Sequence, residues 1–412
     1  MTFSSLSLEL KQREAAGLLR RRRMLESPQG ARVRVDGEDV LSFCSNDYLG
    51  LASHPALIQA ACEGAQRFGV GAGASHLVTG HTSLHHELEQ KLAEFTGLPA
   101  ALLFSTGYMA NMGVITALLG RNDALFADKL NHASLNDAAL LSRARMMRYP
   151  HADLAVLERQ LAASTARRKL VASDAVFSMD GDIAPVPELL ALCEKYDAWL
   201  LLDDAHGFGV LGKTGHGVLE HFSSLLHAGA RASGSAPGGD APCGCTPHPS
   251  RIIYMATLGK AAGVFGAFVA GAPELIAWLV QAARSYIYTT ATPPMLAAAL
   301  LESLRVIAAE TWRRERLAEL VKVLQHGLKL QRWQLMPSET PIQPLLIGSS
   351  QEAVRVSESL RQRGILVPAI RPPTVPQGTA RLRITLSAAH SVADVQRLID
   401  ALHELEGAND SN

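Results

Sequence analysis

Short apolar runs alternate along the chain with segments whose apolar residues recur every three or four positions. The runs predict buried strands, and the longer spacing predicts helices that pack one face on a core. "ALLFSTGYMANMGVITALL" contains both, because it opens as a strand at 101–104, turns at 105–107 and continues as a helix. Further strands are predicted at 125–127, 171–177, 199–202, 252–256 and 264–270. This order predicts an α/β fold with a mostly parallel central sheet flanked by helices.

The pattern changes after Pro293 and Pro294, which end the preceding element. A long helical stretch is predicted from about 295 to 330, followed by "PLLIG", a helix at 351–363, "GILVPAI", "ARLRITLS" and a last helix capped by Ser391. We therefore expect a smaller α+β C-terminal domain. The predicted parts are an N-terminal helical segment (1–48), a large domain (49–291) and the C-terminal domain (292–412).

Two segments stand apart from the strand–helix alternation. The N-terminal segment predicts an amphipathic helix with Leu8, Ala15, Leu18 and Leu19 on one side. Residues 227–250 hold five glycines and four prolines without a periodic apolar face. Such a composition predicts a surface insertion between two elements of the large domain.

Composition narrows the class of protein. The 412 residues contain 39 Lys plus Arg and 39 Asp plus Glu, so no excess charge favours nucleic acid or an anionic membrane as a partner. The five cysteines form no CxxC pair. A secretory leader and a membrane span are both unexpected, because the N-terminus lacks an apolar core and no long apolar run occurs. The expected location is the cytoplasm.

Polar residues follow several of the predicted strands at the point where each strand ends. In open α/β sheets ligands bind beyond the carboxyl ends of the strands, so these residues predict one shared site. They are Ser105, Thr106 and Gly107; Asp128 to His132; Ser178; Asp203 with His206; and Thr257 with Lys260.

The residue types at these strand ends indicate a specific cofactor. Lys260, three residues beyond Thr257 in a glycine-flanked loop, suits an amine that binds a carbonyl covalently. Asp203 ends an apolar run, and a buried carboxylate suits a protonated pyridine nitrogen. The turn at 105–107 opens a helix whose N-terminal amides suit a phosphate. Together these parts predict pyridoxal 5′-phosphate.

Eight motifs in order, from about residue 40 to 405, resemble the α-oxoamine synthase family of fold-type-I pyridoxal-phosphate enzymes. They are "FCSNDYLGLASHP", "GAGASHLVTGHTSLHHELE", "NHASLNDA", "VFSMDGDIAPV", "DDAHGFGVLG", "TLGKAAGVFG", "YIYTTATPP" and "AIRPPTVPQGTARLRITLSAAH". The last motif favours the family members of biotin biosynthesis. The resemblance then implies decarboxylative condensation of L-alanine with a pimeloyl thioester, carried by coenzyme A or an acyl carrier protein.

Two alternatives remain open at this stage. Sister enzymes share the catalytic residues but use other substrates, notably glycine in 2-amino-3-ketobutyrate ligase and 5-aminolevulinate synthase, or serine and a palmitoyl thioester. The other alternative is a non-catalytic protein that binds a metal or a partner through its histidines and the insertion. Substrate trials and the covalent state of Lys260 separate these possibilities.

The resemblance implies roles for the strand-end residues. Lys260 would bind the cofactor and move the Cα proton, Asp203 would pair with the pyridinium nitrogen, and His132 would stack over the ring. His206 would hydrogen-bond the phenolic oxygen, with Ser178 nearby. The expected phosphate ligands are Thr257 and the amides of Ser105, Thr106, Gly107 and Tyr108.

Further roles concern substrates and a second subunit. Thr289 or Thr290 would reach the phosphate of a neighbouring chain, which implies a homodimer with composite sites. Arg371 would bind the amino-acid carboxylate, assisted by Asn46. The run Arg20–Arg23 is either a solvated helix end or, through a residue such as Arg20, a contact for the acyl carboxylate or coenzyme A phosphates.

A second histidine group suggests a metal, because His81 and His85 lie four residues apart on one predicted helix face beside His86. No carboxylate is obviously placed to complete the ligand set. We therefore expect no metal site.

Overall fold

The computed structural model describes residues 3–15, 18–20, 22–225 and 250–407. The insertion predicted at 227–250 lies, apart from Ser250, outside the described residues. In the part that is described, no helix combines the length and apolarity needed to cross a bilayer.

The strands and helices follow one another closely in the chain. The strands are β1 Arg32–Val35, β2 Glu38–Ser42, β3 Ala100–Phe104, β4 Ala124–Asp128, β5 Arg145–Tyr149, β6 Lys169–Asp174, β7 Trp199–Asp203, β8 Ile252–Thr257, β9 Ala267–Gly271, β10 Gln334–Leu335, β11 Ile342–Gly348, β12 Ile365–Leu366, β13 Ala369–Ile370 and β14 Ala380–Thr385. The helices are α1 Ser4–Ala15, α2 Pro55–Phe68, α3 Ser83–Thr96, α4 Gly107–Leu118, α5 Ala133–Ser142, α6 Leu154–Ala162, α7 Val186–Lys195, α8 Val218–His221, α9 Pro273–Ala282, α10 Arg284–Ile287, α11 Pro294–Ala309, α12 Trp312–Gly327, α13 Ser350–Gln362 and α14 Val392–Gly407, with a π-helical turn at His76–Gly80.

Seven of the described strands form the central sheet in the order β3-β9-β8-β7-β6-β4-β5. The ladders from β8 to β5 are parallel, and β9 runs antiparallel to both of its neighbours. The strands are nearly continuous apolar runs because helices cover both faces of the sheet. The mostly parallel sheet predicted from the sequence is confirmed.

The C-terminal part contains the antiparallel sheet β10-β11-β14-β13. It is joined to the N-terminal part through a third sheet, in which β2 pairs with β12 in parallel. The helix α11 packs against α2 and α3 of the large domain. The C-terminal part is thus joined to β2 and to two helices of the large domain, while the exact domain boundaries remain predictions.

Three local expectations were wrong. The stretch expected as one helix from about 295 to 330 is two helices, because the backbone turns at Glu310 and Thr311. The strand expected from 264 begins at Ala267, because Gly263 and Gly266 adopt positive φ in the preceding loop. The N-terminal helix ends at Ala15 and has no buried residue, so the described chain offers no core to its apolar side.

Candidate active site

The carboxyl ends of the parallel strands bring the predicted residues to one edge of the sheet. Asp203 at the end of β7 lies opposite Asp174 of β6 and opposite Met255 of β8 in the ladders. Across β9, Ala267 pairs with both Thr257 and Phe104, so the turn that follows β3 faces the end of β8. The pairing of the strands therefore places Asp203, Thr257 and the turn after β3 at the same edge of the sheet.

The helix α4 begins over the end of β8. Thr106 is its N-cap, and the Thr106 hydroxyl accepts a hydrogen bond from the amide of Met109 at 3.2 Å. A Cβ at Gly107 would meet the Met255 side chain at 3.6 Å and Thr257 at 3.9 Å. The first-turn amides of a capped helix thus lie against Thr257, which is a donor set that suits a phosphate. Ser105 is partly buried, and Tyr108 is exposed with its hydroxyl bonded to Asp137.

Lys260 lies in the loop after β8, and its Nζ is 2.9 Å from His206 Nε2. Burial lowers the pKa of Lys260 to about 8, although Asp203 and Asp174 oppose this shift. The pKa of His206 is lowered well below its usual value, first by burial and then by the Lys260 charge. His206 is therefore neutral, and the lysine is close to its nucleophilic form at neutral pH.

A hydrogen-bonded chain continues from His206 toward the C-terminal part. His206 Nδ1 lies 2.6 Å from the buried hydroxyl of Tyr48, which donates to Asn46 Oδ1 at 3.2 Å. Asn46 also accepts from Arg383 Nη1 at 3.1 Å. Arg383 is buried on β14, and its Nε donates to the carbonyl of Ser178. Because Lys260 bonds Nε2 and Tyr48 bonds Nδ1, both ring nitrogens of His206 are held and the orientation of the ring is fixed.

Asp203 is buried and anchored on its far side. Its Oδ2 accepts from Asn111 Nδ2 at 2.8 Å and its Oδ1 from the amide of Ala205 at 3.1 Å. Asn111 also bonds the Ser134 hydroxyl, which lies 2.8 Å from His132 Nδ1. Burial, followed by the Asp203 charge, raises the pKa of Asp174 well above its usual value. The two carboxyl groups therefore lie side by side at the strand ends, and Asp203 is the one that the Asn111 amide anchors.

His132 is exposed at the N-terminus of α5, and its backbone amide donates to Asp174 Oδ1 at 3.1 Å. Asp174 thus holds the His132 backbone and Ser134 holds its ring, while the residue remains exposed. This arrangement suits an aromatic ligand stacked above the sheet edge.

The remaining predicted residues divide between two cavities and one surface segment. Lys260 and Asn46 line a cavity of about 490 Å3 with Arg23 at another point of its wall. Arg371 and Arg20 line a second cavity of about 550 Å3. Thr289 and Thr290 line neither of these two cavities. Thr290 instead forms a β-bridge with Ser75.

Arg371 and Asn46, which were expected to act together, line different cavities. The guanidinium that reaches Asn46 belongs to Arg383. Arg383, Tyr48 and Asn111 were not singled out from the sequence, although Tyr48 and Arg383 lie inside quoted motifs. The carboxylate-binding role of Arg371 remains a prediction.

Comparison with known proteins agrees with this geometry. The family of class I and II aminotransferases matches residues 38–402. The 8-amino-7-oxononanoate synthase of Nitrosospira multiformis is 65% identical, with 98% of this chain and 96% of that protein covered. The enzyme of the same name from Nitrosomonas eutropha is 61% identical, with 98% and 99% covered.

The chain belongs to the 8-amino-7-oxononanoate synthase family.

Solved structures of related enzymes have the same fold as this chain. The 8-amino-7-oxononanoate synthase of Francisella tularensis has a TM-score of 0.73 at 28% identity, with 90% of this chain and 98% of that chain covered. Sphingomonas wittichii serine palmitoyltransferase has a TM-score of 0.87 at 28% identity, with 99% and 98% covered. A further serine palmitoyltransferase structure, which carries pyridoxal phosphate, has a TM-score of 0.85 at 29% identity, with 97% and 96% covered. The fold type I that the resemblance implied is confirmed, and it is the fold of the class I and II aminotransferases.

Proposed function

We propose that this chain binds pyridoxal 5′-phosphate and condenses L-alanine with a pimeloyl thioester, forming 8-amino-7-oxononanoate, CO2 and a free thiol in biotin biosynthesis. One observation carries the proposal: Lys260 and buried Asp203 lie together at the ends of the neighbouring strands β8 and β7. The pKa of this lysine is lowered to about 8. Family membership supplies the substrates.

The residues present fit the cofactor. Lys260 would bind its aldehyde carbon, Asp203 its ring nitrogen, and His206 its phenolic oxygen. Thr257 and the first-turn amides of α4 would hold the phosphate. When bound, pyridoxal phosphate supplies a protonated pyridine ring that takes up electrons from the bonds of the amino-acid Cα. Asp203, which is buried at the end of β7, would hold the proton on that nitrogen, because a neighbouring carboxylate favours the charged form of a base.

The chain's own residues account for the proton movements. Lys260 Nζ, once free of the cofactor, accepts the Cα proton of alanine, and its lowered pKa makes the neutral amine accessible. The same group returns a proton after CO2 has left. Neutral His206 keeps the amine close by accepting its hydrogen bond.

Substrate binding follows from the charges around the cavity. Arg383, fixed by Ser178 and Asn46, lies close enough to Lys260 for its charge to lower the lysine pKa, and we assign the alanine carboxylate to it together with Arg371. The apolar wall beyond Lys260 suits the acyl chain. Its lining side chains include Leu25, Val33, Val35, Val264 and Leu366.

The proposal includes a homodimer with composite sites, in which Thr289 or Thr290 reaches the neighbouring phosphate. Four strongly exposed apolar residues support a partner near this segment, since single chains rarely leave such groups in water. They are Val70, Leu77, Val78 and Tyr288. The cytoplasmic location and an acyl carrier protein as donor remain part of the proposal.

A substrate matrix tests the reaction. Purified holoenzyme is incubated with alanine, glycine or serine and with pimeloyl, acetyl, succinyl or palmitoyl thioesters of coenzyme A, and products are identified by mass spectrometry. We expect turnover with alanine and the pimeloyl thioester. Turnover confined to glycine would replace the assignment by a sister activity. Comparing coenzyme A with carrier-protein thioesters by kcat/KM then identifies the donor.

A further inference from the structure

A group of histidines with one carboxylate lies outside the cavity of Lys260, where the chain enters α3. His81 precedes the helix, and His86 and Glu89 lie one turn apart on it. One potential ligand atom of each residue lies within 4.8 Å of the other two. His81 Nε2 is 3.9 Å from Glu89 Oε2. Donors around tetrahedral zinc are about 3.3 Å apart, so a modest side-chain rotation would close the set.

The other atoms of these side chains are held by the protein. His81 Nδ1 lies 2.9 Å from His76 Nδ1, and Glu89 Oε1 accepts from the amide of Leu103 at 2.9 Å. The free sides of both groups, Nε2 and Oε2, therefore point toward each other. Metal-binding histidines characteristically have such a second hydrogen bond that fixes the ring.

The histidine pair suggested by the sequence is not the one that the structure selects. His85 Nδ1 bonds the Thr82 hydroxyl at 2.9 Å, and its Nε2 bonds the carbonyl of Thr292 at 2.8 Å. His86, in contrast, is exposed, and its Nε2 lies 3.1 Å from the side-chain amide of Gln90. A cation therefore has access from solvent on the His86 side.

We propose that His81, His86 and Glu89 bind a divalent cation of the Zn2+ class, with His76 orienting His81. Two nitrogens and one oxygen suit Zn2+, Co2+ or Ni2+ better than Mg2+, and three protein ligands leave one position for water. The site is independent of the proposed reaction. Its expected effect is structural, since His76 also stacks on Tyr286 at 5.0 Å and thereby joins the π-helical turn at His76–Gly80 to α10.

The test compares cobalt binding by the holoenzyme and by matched variants after dialysis against a chelator. His86→Gln removes an exposed ligand with little risk to folding, and Glu89→Gln retains an oxygen for the Leu103 amide. His326→Gln is the control, because this histidine is exposed on another helix, where its Nδ1 bonds the Lys322 carbonyl at 2.7 Å. Visible absorption of bound Co2+ gives stoichiometry and affinity.

The wild-type protein and His326→Gln should each bind one Co2+ that both ligand variants bind at least about tenfold more weakly. Zn2+ should displace this ion, and Mg2+ should not. Zn2+ should also raise the Tm of the wild-type protein more than that of His86→Gln. Equal binding by all four proteins, or no binding by the wild-type protein, would overturn the proposal. Catalytic activity is not needed as a readout, so failure here leaves the proposed reaction untouched.

Discussion

Asp203 and Asp204 are adjacent, and both are buried, yet they have different surroundings. Asp203 is bonded by Asn111 and lies beside Lys260. Asp204 accepts from the Tyr254 hydroxyl at 2.7 Å and from the amide of Val218 at 2.8 Å, and burial raises its pKa to about 7. Asp203 is thus placed to act on a ligand, whereas Asp204 joins β7 to β8 and α8.

The Asp203→Asn substitution should lower kcat by about 10²- to 10³-fold, because the neutral amide no longer keeps a proton on the cofactor nitrogen. KM for alanine should change little, since arginines are assigned to its carboxylate. Steady-state kinetics provide the measurement. Asp204→Asn is the matched control, with a lowered Tm and a kcat close to that of the wild-type protein. Wild-type kcat in Asp203→Asn would contradict the role.

The burial of Arg383 could not be predicted from the sequence. In "ARLRITLS", Arg381, Arg383 and Thr385 alternate with apolar residues, a pattern typical of a strand face exposed to water. In the structure this face is buried, because it packs toward the large domain: Arg381 pairs with Asp180 at 2.7 Å and Arg383 bonds the Ser178 carbonyl. The alternation of polar and apolar residues identifies a polar face of the strand, but it does not show whether water or another part of the protein covers that face.

Among the elements, three strand-end loops are joined by His151. Its Nδ1 lies 3.1 Å from Asp128 at the end of β4, and its Nε2 lies 2.8 Å from Asp182 in the loop that follows β6. Hydrogen bonds that His151 donates to Asp128 and Asp182 raise its pKa to about 10. The histidine is therefore charged at neutral pH and supports the loop that carries His132.

His151→Gln should lower the Tm by a few degrees at pH 6, and the deficit should shrink at higher pH. The folded-state pKa lies above the ordinary value of 6.5, so the stabilisation is complete below about pH 6.5 and is lost as the pH rises toward 10. Thermal unfolding of both proteins between pH 6 and 10 measures the difference. His403→Gln, an exposed histidine on α14, controls for general pH effects. A pH-independent deficit would show that lost packing, not charge, is responsible.

The segment before β1 brings Arg23 into the cavity of Lys260, whereas neighbouring Arg22 is exposed and does not line it. Arg23→Ala should raise KM for a pimeloyl thioester several-fold and leave KM for alanine unchanged, because Arg23 lines the cavity whose apolar wall we assign to the acyl chain. Arg22→Ala is the control. Equal acyl KM values in Arg23→Ala and the wild-type protein would remove Arg23 from acyl binding.

Most elements of the large domain could be predicted because buried parallel strands are apolar throughout. β5 was missed for the opposite reason: it lies at the sheet edge, and Arg145 and Arg148 interrupt its apolar residues. The division between α11 and α12 was missed because Glu310 and Thr311 interrupt the helix without glycine or proline. A strand can be predicted when its residues are buried and therefore apolar, and a helix end when glycine or proline marks it. An edge strand and a helix break without these residues offer no such pattern.

In the whole molecule, the predicted phosphate residues fall on two separate surfaces. Thr257 and the start of α4 lie at the sheet edge with Lys260, while Thr290 pairs with Ser75 beside exposed Val78 and Tyr288. A second chain that covers these apolar residues would explain both their exposure and the separation of Thr289 and Thr290 from the Lys260 cavity. The sequence predicted this division only through the family resemblance, because no pattern within one chain encodes its partner.

A hybrid dimer tests that arrangement. Replacing both Thr289 and Thr290 by Val should weaken cofactor binding by about 10- to 100-fold, the cost of lost hydrogen bonds to a charged group. A hybrid of this double variant with a Lys260→Ala subunit then contains, if the sites are composite, one site with wild-type Lys260 and wild-type threonines. At limiting cofactor it should have half the activity of the wild-type dimer. If each chain builds its own site, the sole lysine lies beside the valines, and the hybrid falls to half the activity of the double variant. Differently tagged subunits, purified over two affinity columns, separate the hybrid from both parents.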